Sequence, residues 1–272
     1  MPFSDFQRVI YKKNPLIEVV CQLRFPRILM INEKQPAAFQ ERIRDDYPLF
    51  QVAVEQQQQI TMDIGGNEIP PAPRIFQSET INNYKFSSAD EKWHINLTST
   101  FLALSTSAYD RWENFQEHLQ KPLDALLEIY RPAFFERIGL RYVDAFKKSA
   151  LNLNDAAWPE LIQPFVLGFM SNSEISDDVR NQNAAVELDI GNGAIAQINA
   201  AKGFIGDATL GLPIFSDEES FIVDSDMYML RKNIGELDAS LTYLHDYARK
   251  LIRSIITEKL HDAMEPSELS EL

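Results

Sequence analysis

The chain has one cysteine and no long apolar run, and both scarcities limit the class of protein. Cys21 is the only cysteine among 272 residues, which excludes an internal disulfide and is typical of a reducing compartment. No apolar stretch approaches the ~20 residues that cross a membrane. Residues 1–13 are too polar to resemble a signal peptide. We therefore expect a cytoplasmic protein without membrane association.

Basic residues are scarce relative to acidic ones. The chain carries 26 Lys and Arg against 40 Asp and Glu, a net charge of −14 at pH 7. This charge repels nucleic acid and anionic membranes and attracts basic surfaces. The expected partner is therefore another protein, and a basic one, whereas nucleic acid is disfavoured. A local basic strip within residues 1–60, which have eight basic and seven acidic residues, is the remaining route to nucleic acid. The composition leaves the oligomeric state open.

Known catalytic and metal-binding signatures are absent from the sequence. The four histidines have no metal-ligand spacing, and there is no His-Glu-x-x-His, Gly-x-Ser-x-Gly, dinucleotide fingerprint or phosphate loop. The Asp-Ser-Asp run at 224–226 offers too few ligands for a divalent cation, and we interpret it as a solvated acidic loop or strand edge. The sequence therefore predicts no metal and no cofactor, and it favours a non-enzymatic protein.

The chain repeats part of its own pattern. Residues 15–25 are echoed 117 residues later at 132–142, with proline first and Leu-Arg-aromatic last. Residues 60–67 return at 186–193, again as a strand-like run containing Asp-Ile-Gly. Two echoes in the same order predict a tandem duplication. The two predicted repeats and the frayed tail that follows them are 1–131, 132–265 and 266–272.

Hydrophobic periodicity predicts a β-α-β-β-β-α unit in each half. The predicted strands are 15–25, 52–64, 74–87 and 91–106, then 133–146, 183–190, 194–203 and 207–230, the last of them broken into two pieces near 216–219. The predicted helices are 36–47, 109–130, 154–169 and 236–262. Strands that are apolar on one face only require helices on that face only. We therefore predict an α+β fold with a mainly antiparallel sheet, helices on one face and an open concave polar face, forming one pseudo-twofold domain.

Strand alternation places a set of polar side chains on this open face. The candidate ligand- or partner-binding residues are Glu18, Gln22, Arg24, His94, Asn96, Arg137, Arg141 and Asp189. Arg24 and Arg141 hold matched positions in the two echoes, where two guanidinium forks would grip an anionic ligand across the pseudo-dyad. The alternative is that each arginine pairs with an acidic neighbour, such as Glu18 or Asp189. His94 is either a general base or an ordinary surface histidine.

The opening segment also carries a family resemblance. The chain resembles a sporadically distributed family of bacterial proteins of about this length. The resemblance lies in residues 11–26, which contain the pattern Asn-Pro-x-x-Glu, in residues 136–142, and in the C-terminal helix that contains Leu244 and His245. That family has no established activity, so the resemblance supplies no functional residues. Its patchy distribution resembles that of toxin-antitoxin, immunity and mobile defence genes.

Two hypotheses about function follow. The first is a non-enzymatic cytoplasmic binding protein, such as an antitoxin, an immunity protein or an anti-phage defence accessory, whose acidic charge would steer a basic partner. The second is a small-ligand sensor or an enzyme that uses the concave sheet face around Arg24, Arg141 and His94.

Overall fold

A computed structural model describes residues 5–58, 78–172, 174–205 and 218–268. Its strands are β1 (Val9–Tyr11), β2 (Leu16–Arg24), β3 (Leu49–Gln58), β4 (Ser78–Ser87), β5 (Trp93–Leu97), β6 (Phe101–Thr106), β7 (Phe135–Phe146), β8 (Asn183–Gly191), β9 (Ala194–Gly203), β10 (Ser220–Lys232) and β11 (Pro266–Glu268). Its helices are α1 (Leu29–Glu33), α2 (Ala37–Ile43), α3 (Trp112–Ile129), α4 (Trp158–Leu161), α5 (Pro164–Leu167), α6 (Leu237–Ile255) and α7 (Glu258–Ala263).

Nine of the strands form one sheet in the order β3-β4-β5-β6-β2-β7-β10-β9-β8. Every neighbouring pair in this sheet is antiparallel. The first strands of the two predicted repeats, β2 and β7, lie side by side at the centre. The mixed α+β class and the mainly antiparallel sheet are therefore confirmed.

The alternation of apolar and polar side chains along the central strands determines which face of the sheet is covered. In β2, Val19, Cys21 and Leu23 are fully buried, whereas Glu18 and Arg24 are exposed. Each fully buried aliphatic side chain of this size contributes about 1.5–3 kcal/mol. Burial also raises the pKa of the Cys21 thiol to about 12, and this cysteine packs as a small apolar residue.

The two long helices contribute their apolar stripes to the same core. In α3 the stripe includes Trp112 and Phe115, and in α6 it includes Leu241 and Leu244, all of them buried. The spacing of three and four residues places these side chains on one face of each helix. Among the described residues, no helix is both long enough and apolar enough to cross a membrane.

The prediction of a single strand over 91–106 is wrong. The segment folds back on itself as β5 and β6, with a turn at Thr98. The Thr98 Oγ1 accepts hydrogen bonds from the backbone N–H groups of Thr100, at 3.2 Å, and Phe101, at 3.1 Å. Such local side-chain bonds compete with the strand ladder. Within the described residues, the first half of the chain therefore contributes five strands to the sheet and the second half four.

Two predicted helices are interrupted. The helix expected over 154–169 is broken into α4 and α5, each of which has a proline at its N-terminus. The helix expected over 236–262 ends at Ile255, because Ile256 is extended and forms a β-bridge with Ile162. Thr257 then caps α7, its side chain accepting from the Leu260 N–H.

The predicted frayed tail is partly wrong as well. Within 266–272, Pro266–Glu268 form β11, which pairs with β1. The Ser267 Oγ also donates to the Ile10 carbonyl at 3.1 Å. Local sequence does not reveal such a pairing, since the two strands lie at opposite ends of the chain.

Candidate functional site

The uncovered face of β2 and β7 carries the polar residues that the sequence analysis selected. Glu18, Gln22 and Arg24 project from β2, and Arg137 and Arg141 project from β7. The register places Arg24 opposite Arg137, not beside Arg141. The strand order therefore brings these five residues together at the centre of the sheet.

The two β7 arginines are each held by an aspartate of β10. The Arg137 Nη2 donates to both carboxylate oxygens of Asp226, at 2.7 and 2.6 Å. Arg141 grips Asp224 through Nε and Nη2, both at 2.7 Å, and its Nη1 lies 4.0 Å from Glu18. For Arg141, pairing with acidic neighbours is therefore the arrangement observed.

The interpretation of 224–226 as an acidic loop or strand edge is wrong. Asp224 and Asp226 lie inside β10, which pairs with β7 on one side and β9 on the other. Ser225 between them is buried. Burial alternates along 221–229, so the two aspartates lie on the less buried face and Ser225 on the buried one.

Gly139 makes room for the Arg137 side chain. A Cβ at position 139 would lie 1.9 Å from the Arg137 Nη1. The guanidinium therefore lies across the backbone at Gly139, reaches Asp226 and packs 4.5 Å from the centre of the Tyr228 ring. With 18% of its side chain exposed, Arg137 is the more buried of the two β7 arginines, since Arg141 has 43% exposed.

The remaining predicted site residues have separate surroundings. Arg24 is exposed and forms no ion pair with the described residues. The His94 Nδ1 lies 2.8 Å from the Ser87 Oγ, and burial lowers the pKa of its imidazole. Asn96 donates to the Asn83 side chain at 2.9 Å.

Asp189 lies far from His94 across the sheet. The Asp189 Oδ1 accepts from the Gly191 N–H at 2.9 Å, at the irregular end of β8. His94, on β5, is six strands away, about 29 Å at the usual strand spacing. One small ligand could not contact both residues. The binding role predicted for the open face stays a prediction.

The opposite face of the same sheet region contains a cavity of about 110 Å³. It lies where the end of β7 meets β1, α6 and the start of α3. Six of the residues that line it are Tyr11, Tyr109, Trp112, Tyr142, Asp144 and His245. Tyr142 and Asp144 alternate with Arg141 and Val143 along β7, so this cavity is on the helix-covered side.

Asp144 is an unusual residue for a covered strand face. It is 5% exposed, and its carboxyl forms no hydrogen bond or ion pair within the described part of the chain. Aspartate is seldom fully buried unless it is paired. Burial raises the pKa of Asp144 to about 7, so a large fraction of the carboxyl is protonated at neutral pH.

His245 presents a second unused polar atom at the cavity. Its Nδ1 lies 2.8 Å from the Tyr142 hydroxyl, and its ring stacks on Trp112 with centroids 4.5 Å apart. Its Nε2 is buried and has no hydrogen-bond partner among the residues that the structure describes. Burial lowers the pKa of His245 to about 4, so the imidazole is neutral at pH 7.

Two of the three arginines that line the cavity form ion pairs. Arg8 forms two hydrogen bonds with the Glu113 carboxylate, at 2.7 and 2.9 Å. Arg249 donates to the Phe6 carbonyl at 2.6 Å and to Asp246 at 3.3 Å. Each of these two guanidinium groups therefore has a carboxylate partner, but the buried Arg249 Nε has no hydrogen-bond partner among the described residues. The third lining arginine, Arg111, is exposed.

Among the residues that the structure describes, one cluster of possible metal ligands is found, at Glu258, His261 and Asp262. Two of its three groups are engaged elsewhere. Glu258 pairs with Arg253 at 2.5 Å, and the His261 Nδ1 lies 2.8 Å from the Tyr11 hydroxyl. We therefore assign no metal centre to this cluster.

Sequence reasoning missed the cavity residues, although one signal was present. Asp144 falls on the same strand parity as the apolar Ile138, Leu140 and Tyr142, where a carboxylate is out of place. His245 offers no comparable signal, since a single helical histidine is ordinarily explained by exposure or packing.

Comparison with known proteins adds no family assignment to this geometry. No protein-family model matches the chain, and no curated protein matches its sequence.

Proposed function

We propose that the protein binds a small molecule in the cavity lined by Tyr142, Asp144 and His245. The observation that carries this proposal is that the Asp144 carboxyl and the buried His245 Nε2 belong to residues lining one cavity, and neither group has a hydrogen-bond partner in the described chain. Ionisable groups with strongly perturbed pKa values in a cavity are typical of binding and catalytic sites.

The free-energy cost of leaving polar groups in the cavity without hydrogen-bond partners supports the proposal that a ligand binds there. A buried polar group without a partner costs about 1–3 kcal/mol. A ligand that offers a hydrogen-bond donor to Asp144 would remove this cost on binding. The size limits what can enter: a 150 Å³ cavity in another protein holds benzene. By that measure, the ≈110 Å³ available here accommodates about four or five non-hydrogen atoms, or one end of a longer molecule.

A cavity-filling variant tests the proposal. Ala248 is buried on α6 and lines the cavity, so Ala248→Leu places three additional carbons in it. Thr242→Leu introduces the same side chain on the exposed face of the same helix and is the matched control. Cationic, neutral and anionic compounds of four to six heavy atoms are then screened by thermal shift and by the fluorescence of Trp112.

We expect at least one of these compounds to bind the wild-type protein and Thr242→Leu but not Ala248→Leu. Binding that survives equally in Ala248→Leu would place the ligand elsewhere. Failure of every compound to bind the wild-type protein would also contradict the proposal.

The roles suggested by sequence remain compatible with a binding protein. An antitoxin, immunity or anti-phage defence role, with a basic protein as partner, is supported only by the net charge of −14 and by the family resemblance.

The same charge predicts that an anisotropy titration with duplex DNA at physiological salt detects nothing tighter than micromolar binding. Nanomolar, salt-sensitive binding would instead favour a nucleic-acid function.

We also propose that the two halves arose by duplication, with a concave polar face between them. The β2–β7 register supports this, because Gln22 lies opposite Gly139 and these two residues are equivalent in the sequence echo. A twofold axis between the strands would produce that pairing. The strand order adds support, since β2 and β7 each lie beside the last strand of their own half. The 60–67 echo lies outside the described residues.

A further inference from the structure

We infer that the molecule bound in this cavity carries a small organic cation, an amine or ammonium group that pairs with the Asp144 carboxylate. This inference rests on the proposed function and specifies the chemistry of its ligand. It is carried by the distribution of charge around the cavity and by the aromatic residues that line it.

The charge balance favours a cation over an anion. Arg8 and Arg249 already have carboxylate partners in Glu113 and Asp246. The Asp144 carboxyl has no counter-cation in the described part of the chain. A buried carboxylate requires one, so a cationic ligand would pair with Asp144, whereas an anionic ligand would place a second negative charge in the same cavity.

The aromatic residues that line the cavity are of the types that bind cations. Aromatic rings from three places in the fold line the cavity: Tyr11 on β1, Tyr109 and Trp112 around the start of α3, and Tyr142 on β7. The negative faces of aromatic rings attract ammonium groups, and sites for amines commonly combine such rings with a carboxylate. Asp144 lines the same cavity as these four rings, so the rings and the carboxyl belong to one site.

Binding should depend on pH through Asp144. The pKa of this carboxyl is raised to about 7, and a cation binds its ionised form. The other titratable or charged groups that line the cavity are those of Arg8, Tyr11, Tyr109, Asp110, Arg111, Tyr142, His245 and Arg249. Of these residue types only histidine ordinarily titrates between pH 6 and 8. The pKa of His245 is lowered to about 4, so its charge is constant in that range.

The test compares four probes of similar size: propylammonium, tetramethylammonium, 1-propanol and propionate. Their affinities are measured by calorimetry for the wild-type protein, for Asp144→Asn and for Ala248→Leu. We expect propylammonium to bind the wild-type protein about tenfold more tightly than 1-propanol, since hydrogen bonds to charged groups are the stronger ones. Propionate should bind more weakly still. Asp144→Asn should remove the preference for the cations over 1-propanol.

The pH dependence provides a second measurement on the same samples. Between pH 6 and 8 the affinity of both cations for the wild-type protein should rise about tenfold, because the ionised fraction of Asp144 rises by that factor. Tetramethylammonium has no proton to lose, so its response separates the titration of Asp144 from that of the ligand. Asp144→Asn should show no such rise.

The outcomes distinguish this inference from the proposed function. If 1-propanol or propionate binds the wild-type protein as tightly as the cations, and Ala248→Leu prevents that binding, the cavity is a ligand site but the cationic ligand is wrong. If the cations bind Asp144→Asn as tightly as the wild-type protein, the role of Asp144 is wrong. If no probe binds the wild-type protein more tightly than Ala248→Leu, both proposals fail.

Discussion

Replacing Asp144 with asparagine is expected to stabilise the protein above pH 7 and to have little effect below pH 4. In the folded state burial raises the pKa of this carboxyl from its ordinary value of 3.8 to about 7. The folded state therefore binds the proton more tightly than the unfolded state. The resulting stability is fully present below pH 4 and is lost as the pH rises through 7. At about 1.4 kcal/mol for each pKa unit, the loss is on the order of 4 kcal/mol.

Denaturant unfolding of the wild-type protein and of Asp144→Asn between pH 4 and 8 measures this effect. The free-energy difference between the two proteins should widen steadily in favour of the variant. Asp45→Asn, which removes an exposed carboxyl, is the control and should follow the wild-type curve. A difference that stays constant over this range, or that favours the wild type at pH 8, would show that Asp144 has a partner in the folded protein.

The variant is more informative than the wild-type curve alone, because His245 acts in the opposite direction. Burial lowers the pKa of His245 from 6.5 to about 4, so its neutral form stabilises the folded state above pH 6.5. That contribution is lost as the pH falls toward 4. Between pH 4 and 6.5 the contributions of Asp144 and His245 therefore oppose each other and flatten the wild-type curve.

A second large effect is expected on the open face, where Arg137→Ala should destabilise the protein by about 1.5–3 kcal/mol, the range for hydrogen bonds to charged groups. Arg137 is the more buried of the two paired arginines. Gly139→Ala should also destabilise the protein, but by less, because its Cβ would displace the guanidinium from Asp226 while the flexible Arg137 side chain can move aside. Arg24→Ala should change stability by less than about 0.5 kcal/mol, since Arg24 is an exposed residue without an ion pair in the described chain.

A double-mutant cycle makes this prediction specific. Once Arg137 is alanine, the clash at residue 139 no longer exists, so Gly139→Ala should cost little in that background. The combined loss in the double variant should therefore be well below the sum of the two single losses. If the losses in the free energy of unfolding are additive, Gly139 contributes to stability for a reason other than leaving space for the Arg137 guanidinium. Chemical denaturation of the four proteins provides the measurement.

The polar open face shows how much of a site can be predicted from the alternation of residues within a strand. Alternation in β2 and β7 was sufficient to place Glu18, Gln22, Arg24, Arg137 and Arg141 on one side, because successive side chains of a strand point to opposite faces. It did not supply their partners. Asp224 and Asp226 reach the arginines only because β10 pairs with β7, a contact between segments more than 80 residues apart.

The sequence by itself determined the α+β class, most of the strands and the face that each central strand buries. These properties depend on the spacing of apolar residues within one element. The cavity was decided by the tertiary structure alone. Asp144, His245 and Trp112 come from β7, α6 and α3, and only the packing of both helices against the sheet brings them together. The perturbed pKa values have the same origin, because desolvation depends on everything that surrounds a group and not on its neighbours in the chain.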